Sequence, residues 1–174
     1  MNKALFLDRD GVINIEKDYL YKIEDFEFIC GIFELCKYYQ NLGYIIIVVT
    51  NQSGIAREYY DKNDFNRLTS WMIDEFLKKD IKIKKVYYCP HHPNISGTCD
   101  CRKPKSGMLI EAKNDFDIDL KNSILIGDKE RDIEAGLNAG LLTTYLFDEY
   151  SSISVSKATK IINKFEEIYN ANLK

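Results

Sequence analysis

The sequence predicts an α/β fold with a doubly wound, mainly parallel sheet. Short apolar runs alternate along the chain with segments whose apolar residues recur at helical spacing. The runs are continuously hydrophobic, which is typical of strands that are buried on both faces. Such a regular succession of strand and helix favours right-handed crossovers and helices on both sides of the sheet. At 174 residues, the chain is expected to form a single domain over residues 1–174.

Five apolar runs are expected to be strands: Ala4–Leu7, Tyr44–Val49, Lys85–Tyr88, Ser123–Ile126 and Leu142–Leu146. Helical stripes lie between them, over residues 32–42, 65–77, 108–116 and 132–139. A terminal stripe is expected to pack on the sheet as a last helix, and it comprises Ile161, Ile162, Phe165 and Ile168. The irregular stretch Asn14–Glu27 predicts a loop, and the interval between Asp10 and Thr50 leaves no room for a lid domain.

Composition excludes several classes of function. The net charge is −3 and there is no basic block, so broad nucleic-acid binding is not expected. No apolar stretch approaches the length of a membrane span, and the charged start does not resemble a signal peptide. We therefore expect a cytoplasmic protein without membrane or nucleic-acid partners, and a monomer.

The five cysteines do not predict a disulfide framework, because their number is odd and no secretion signal is evident. Cys30 and Cys36 flank or lie on an apolar helical segment and are interpreted as small core residues. The other three are crowded with two histidines into one short segment, which points to metal binding.

The first apolar run ends in Asp8 and Asp10, two residues apart, and then Gly11. Ligands of parallel sheets bind at the carboxyl ends of strands, so both carboxylates are expected at the mouth of a crevice. Like charges held this close require a cation or a shared proton. The pattern predicts a metal-assisted phosphoryl-transfer site.

Two later strands also end in polar residues. Thr50 is followed by two amides and a turn glycine, a combination that can hold phosphate oxygens but that, taken alone, is also an ordinary turn. Asp128 follows the fourth strand as Asp8 follows the first, and Asp132 begins the next helix, where its simplest role is an N-cap. Because the acids are expected at one sheet edge, a catalytic Mg²⁺ site is favoured.

The segment after the third strand carries three thiols and an imidazole that form a closed zinc-ligand set: Cys89, His91, Cys99 and Cys101. Four strong ligands leave no open position, so this zinc loop, residues 89–101, predicts a structural site. The alternative is three reduced cysteines and unrelated histidines in one loop.

The zinc loop leads directly into Arg102 and Lys103. A lysine there can neutralise an attacked phosphate, and an arginine can grip a second anion. Without the zinc anchor, the pair would be interpreted as a solvated face. Lys129 and Arg57 are weaker candidates for substrate contact.

These motifs resemble those of the haloacid dehalogenase superfamily: Asp8-Arg9-Asp10-Gly11, Thr50-Asn51, Lys103, and Gly127-Asp128 with Asp132. Within it, residues 50–57, 89–93 and 99–104 resemble the zinc-containing histidinol-phosphate/heptose-bisphosphate phosphatases. The resemblance runs from about Lys3 to Leu146. It implies a haloacid dehalogenase-like Rossmannoid core without a cap and a Mg²⁺-dependent phosphatase acting on a heptose bisphosphate.

The resemblance also implies individual roles. Asp8 is expected to be the nucleophile and Asp10 the acid and base, with Thr50 and Lys103 stabilising the phosphoryl group. Mg²⁺ is expected on the Asp8 carboxylate, the Asp10 carbonyl and the Asp128 carboxylate. Substrate contacts are expected from Glu16, Tyr19, Asn51, Gln52, Ser53, Arg102 and Lys129.

Three rival functions remain open. Histidinol-phosphate phosphatases share the acid, threonine and zinc features. A phospho-accepting receiver module also places aspartates around Mg²⁺, although it needs no cysteine-rich loop. A zinc-stabilised nucleic-acid binder is disfavoured by the acidic balance of the chain.

Overall fold

The computed structural model describes residues 1–169. Within that range, six strands form one sheet in which every neighbouring pair is parallel, in the order β3-β2-β1-β4-β5-β6. The strands are β1 (Lys3–Leu7), β2 (Tyr44–Asn51), β3 (Ile83–Cys89), β4 (Ile124–Gly127), β5 (Thr143–Phe147) and β6 (Lys160–Ile162). The helices are α1 (Ile32–Asn41), α2 (Lys62–Leu77), α3 (Pro93–Ser96), α4 (Gly107–Phe116), α5 (Glu130–Ala139) and α6 (Glu166–Tyr169).

Helices cover both faces of the sheet, which confirms the predicted doubly wound architecture. Side chains alternate along a strand, so Leu5 and Leu7 pack in one core with α1 and α2. Ala4 and Phe6 pack in the opposite core with α4 and α5. The continuous apolar strand β1 therefore contributes side chains to both cores. No helix within residues 1–169 is long and apolar enough to cross a bilayer.

The loop expected over Asn14–Glu27 is present, with one short 3₁₀ turn at Ile23–Asp25. A second loop joins β2 to α2, and it ends where Asp61 caps the helix. The Asp61 carboxylate accepts from the backbone N–H groups of Asn63 and Asp64, while Asp64 accepts from the N–H of Asp61. This capping box fixes where the second loop ends.

Two predictions about the cores were wrong. Ile161 and Ile162 lie in β6, which pairs with β5, so the terminal stripe is a strand followed by a short helix. Cys36 is fully buried as expected, but Cys30 is exposed at the turn before α1.

The chain order places the site. From β1 the chain continues to β2 and β3 on one side of the sheet, and β4, β5 and β6 lie on the other. The carboxyl ends of the neighbouring strands β1 and β4 therefore border the crevice at which open α/β sheets bind ligands.

Candidate active site

Three carboxylates meet at this crevice. Asp8 follows β1, Asp128 follows β4 and Asp132 lies in the first turn of α5, and all three are buried. One carboxylate oxygen of each lies within 4.8 Å of the others. Burial raises the pKa of Asp8 to about 8. The neighbouring Lys103 ammonium lowers this pKa, and the neighbouring carboxylates raise it further.

A single buried ammonium group lies among these acids. The Lys103 Nζ is 2.9 Å from an oxygen of Asp8 and 2.8 Å from one of Asp132. It also donates to the carbonyl of Val49 at 2.8 Å. Even with the half-exposed Lys129 ammonium, which contacts Asp128, three carboxylates outnumber two ammonium groups, and a bound cation would compensate the remaining negative charge.

The chemistry of this cluster fits a hard divalent cation. Carboxylate and carbonyl oxygens are the ligands that Mg²⁺ prefers. Gly11 leaves space beside the Asp128 carboxylate: its φ is +83°, and a Cβ there would lie 2.3 Å from Asp128 Oδ2. The missing side chain keeps that oxygen accessible.

Asp10 lies beside the cluster and is held by three side chains. Its carboxylate accepts from Arg9 Nη2 at 2.9 and 3.0 Å, from Asn14 Nδ2 at 3.0 Å and from Gln52 Nε2 at 2.9 Å. Arg9 is itself buried and also donates to the carbonyl of Leu20 at 2.8 Å. The carboxylate is thereby tied to the first loop.

Asn51 links β2 to the lysine. Its side-chain Nδ2 donates to the Lys103 carbonyl at 3.2 Å, and its Oδ1 accepts from the Lys103 N–H at 3.1 Å. Next to it, Thr50 is buried at the end of β2 and accepts from Gln52 Nε2 at 2.9 Å. The amide side chains of Asn51 and Gln52, at the carboxyl end of β2, therefore hold Lys103 and Thr50 in place.

A cavity of about 430 Å³ opens beside Asp10. All seven predicted substrate contacts line it: Glu16, Tyr19, Asn51, Gln52, Ser53, Arg102 and Lys129. Asp18, within the stretch Glu16–Tyr19 that was expected to line the sugar pocket, lines it too, whereas sequence reasoning left three further lining residues without a role, namely Tyr60, His92 and Arg131.

Four cationic side chains surround the cavity, Arg57, Arg102, Lys129 and Arg131. The Arg102 guanidinium donates to the carbonyl of His91 at 3.1 Å, which ties it to the zinc loop. Lys129 Nζ lies 2.8 Å from an oxygen of Asp128. These cations outnumber the three carboxylates that also line the cavity, those of Asp10, Glu16 and Asp18, and they suit a substrate with an anionic group in addition to the reacting one.

The four predicted zinc ligands are brought together by the structure. The Cys99 sulfur lies 3.5 Å from that of Cys89 and 3.4 Å from that of Cys101. The His91 Nδ1 lies 3.6 Å from Cys89 Sγ and 3.4 Å from Cys101 Sγ. A tetrahedral zinc with Zn–S bonds of about 2.3 Å separates its sulfurs by roughly 3.8 Å, so the set fits that ion.

Comparisons with known proteins agree with this geometry. A family model described as HAD-hydrolase-like matches residues 100–147. The chain is 60% identical over 147 residues to a D-glycero-alpha-D-manno-heptose-1,7-bisphosphate 7-phosphatase of Campylobacter jejuni, covering 84% of this chain and 83% of the relative. The chain belongs to the heptose-bisphosphate phosphatase family of haloacid dehalogenase-like hydrolases.

Other members carry both anomeric names. The D-glycero-beta-D-manno-heptose-1,7-bisphosphate 7-phosphatase of Haemophilus influenzae is 46% identical over 143 residues, covering 80% of this chain and 78% of the relative. A crystal structure of the D,D-heptose 1,7-bisphosphate phosphatase from B. bronchiseptica, complexed with magnesium and phosphate, is also similar. It superposes with a TM-score of 0.85 at 25% identity and covers 98% of both chains.

Sequence reasoning missed the residues that surround Asp10 in this member of the heptose-bisphosphate phosphatase family. Arg9 and Asn14 flank the predicted acids in the sequence, so their proximity was the available signal. Tyr60 had no local signal, because its hydroxyl reaches the site only through the folded second loop.

Gly11→Ala is expected to weaken Mg²⁺ binding. The new Cβ would displace the Asp128 carboxylate, and alanine is strained at a φ of +83°. Disturbing metal ligands commonly costs about 10–100-fold in affinity or activity. Phosphatase activity titrated with Mg²⁺ should show half-saturation at a concentration at least about tenfold higher. Gly43→Ala is the matched control for backbone strain, because Gly43 also has a positive φ but a Cβ there would meet no atom within 4 Å. Equal Mg²⁺ titrations in the two variants would contradict the interpretation.

Proposed function

We propose that this protein is a Mg²⁺-dependent phosphatase that removes the 7-phosphate of D-glycero-D-manno-heptose 1,7-bisphosphate in nucleotide-activated heptose biosynthesis. The observation that carries the proposal is the acid and lysine cluster together with Asp10, which borders a cavity lined by four cationic side chains. One phosphate would react at the acids while the other meets the positive lining. The names of the relatives support the same substrate.

In the first step Asp8 attacks phosphorus, and the bond from phosphorus to the sugar oxygen breaks. The electron pair of that bond stays on the sugar oxygen, which takes a proton from Asp10. The product is an aspartyl-phosphate and the free sugar hydroxyl. In the second step a water molecule attacks the phosphorus of the aspartyl-phosphate while Asp10 takes a proton from that water. The bond from phosphorus to Asp8 breaks, which releases inorganic phosphate and restores the Asp8 carboxylate.

Three side chains act on the transferring group or the rest of the substrate. The buried Lys103 ammonium, held 2.9 Å from Asp8, offsets charge that develops on the phosphoryl oxygens. Thr50 supplies a hydroxyl at the end of β2 for the same group. Arg102, half-buried and fixed to the zinc loop, binds the distant phosphate.

The cation is assigned to Asp8, the Asp10 carbonyl and Asp128, and when bound it supplies Lewis-acid charge neutralisation. Zinc is assigned to Cys89, His91, Cys99 and Cys101 as a structural ion that fixes the segment leading to Arg102 and Lys103. We further propose a single domain over residues 1–174 that acts in the cytoplasm as a monomer.

Phosphate release from three substrates tests the proposal. With Mg²⁺ present, kcat/KM for heptose 1,7-bisphosphate should exceed that for histidinol phosphate by at least about 100-fold, because only the bisphosphate engages the cationic lining (~2.7 kcal/mol). Chelation of Mg²⁺ should abolish phosphate release from all three substrates. The α-anomer is expected to react faster than the β-anomer, since the 60% identical relative carries the alpha name.

The rival functions give different results in the same assay. Faster release from histidinol phosphate would replace the proposed function by the alternative in histidine biosynthesis. A receiver module would retain one phosphate per chain without turnover. Steady release of several phosphates per chain is the result expected here.

A further inference from the structure

Gln52 occupies a position between two catalytic candidates. It is only 2% exposed, and its Nε2 donates to Asp10 Oδ2 and to Thr50 Oγ1, each at 2.9 Å. Its Oε1 accepts from the hydroxyl of Tyr60. Both hydrogens and the oxygen of this amide are therefore directed at protein groups, although Gln52 borders the cavity.

Contacts with the Tyr60 ring fix the position of its hydroxyl. Its ring lies against Gly54, where a Cβ would come within 2.2 Å of the ring carbon Cε1, so any larger residue would push the ring away. The ring also stacks on Tyr21 from the first loop, with centroids 5.3 Å apart and an interplanar angle of 16°. Asp61, the next residue, caps α2.

The hydroxyl of Tyr60 acts as a donor. Burial raises the pKa of Tyr60 to about 12, so the group keeps its proton at neutral pH. Its partner in this network is the Gln52 oxygen, and that contact leaves the amide nitrogen facing Asp10. The reversed amide would place an oxygen against the Asp10 carboxyl group, which in its ionised form has no hydrogen to donate.

We propose that Tyr60 and Gln52 are positioning residues for Asp10: the tyrosine fixes the orientation of the amide, and the amide holds the Asp10 carboxylate in line with Thr50. The inference rests on the acid and base role given to Asp10 under the proposed function. It assigns Gln52 to the support of the catalytic groups, and it gives Tyr60 a role that its sequence position does not indicate.

Tyr60→Phe tests the inference through the dependence of the rate on the leaving group. A sugar alkoxide needs the proton of Asp10 to leave, whereas p-nitrophenolate leaves without one. With heptose 1,7-bisphosphate, Tyr60→Phe should lower kcat about tenfold and leave KM within about twofold, as a part of the 10²–10⁴-fold effect of general acid catalysis. With p-nitrophenyl phosphate, the rate of p-nitrophenolate release in the first turnover should change less than about twofold.

Further variants separate positioning from structural damage. Tyr21→Phe removes the same atom from the neighbouring ring and keeps the stack, so it should behave as wild type with both substrates. Gln52→Met, similar in volume but without the amide, should reproduce the selective loss of Tyr60→Phe. An equal loss with both substrates, or no loss with the sugar substrate, would overturn the inference.

The outcome is distinguishable from a failure of the proposed function. If wild-type protein does not hydrolyse heptose bisphosphate, the proposed substrate is wrong. Glycerol 3-phosphate, an alkyl monoester with an equally poor leaving group, then replaces it in the same comparison with p-nitrophenyl phosphate.

Discussion

Asp8→Asn is expected to abolish phosphate release, with a loss of kcat of at least about 10⁴-fold. The amide cannot attack phosphorus to form an acyl phosphate, and it also removes an anionic ligand from the cation site. The remaining acids, Asp128 and Asp132, cannot replace it because they leave β4 and α5 rather than the end of β1. Phosphate release over several hours at high enzyme concentration measures the residual rate.

The same substitution should not destabilise the metal-free protein. Asp8 is one of three buried carboxylates whose oxygens lie within 4.8 Å, and Lys103 keeps its 2.8 Å contact with Asp132 in the variant. Burial and the neighbouring acids already raise the pKa of Asp8 and disfavour its charged form, so a neutral amide of the same size adds no electrostatic cost. The midpoint of thermal unfolding in the presence of a chelator should therefore equal or exceed that of wild type.

A matched control distinguishes chemistry from a general effect of the substitution. Asp115→Asn makes the same change at an exposed carboxylate of α4 that accepts hydrogen bonds from Lys85 and Tyr87 of β3, and it should keep wild-type kcat. Residual turnover by Asp8→Asn above about 1% of wild type would contradict the assignment of Asp8 as nucleophile.

The sheet and its acidic edge were predictable because they follow from local patterns. A continuous apolar run that ends in a carboxylate identifies a buried parallel strand and its carboxyl end at once. Asp8 and Asp128 could be placed together on that ground, although 120 residues separate them in the sequence. The zinc set was equally accessible, because its four ligands lie within 13 residues.

The rest depends on distances that no local pattern encodes. Tyr60 reaches Gln52 only because Gly54 leaves room and the α2 cap holds the loop. Arg131 and Arg57 line one cavity only after α5 and the second loop are packed around it. The short apolar run that forms β6 is compatible with a helix or a strand, and its pairing with β5 makes it a strand.

Cys99→Ser is expected to remove zinc and to lower both stability and rate. Serine cannot supply a thiolate, and the remaining three ligands would lose the closed tetrahedral set. Because metal binding contributes directly to the free energy of folding, the loss should destabilise the protein by several kcal/mol at least, on the order of a third of the 10–16 kcal/mol seen for whole zinc-finger peptides. Zinc content by atomic absorption and thermal unfolding measure the two effects.

The rate should fall because the loop carries the groups that meet the substrate. The His91 carbonyl accepts from Arg102, so losing the ion frees that guanidinium from its fixed position. Lys103 loses the support of the preceding segment but keeps its contacts with Asn51 and the buried acids. A tenfold or larger rise in KM for the bisphosphate is expected, about 1.4 kcal/mol of lost binding. Cys30→Ser, at an exposed cysteine outside the cluster, is the matched control and should retain zinc, stability and rate. A Cys99→Ser protein with wild-type unfolding temperature and kcat/KM would show that the four residues do not hold a structural ion.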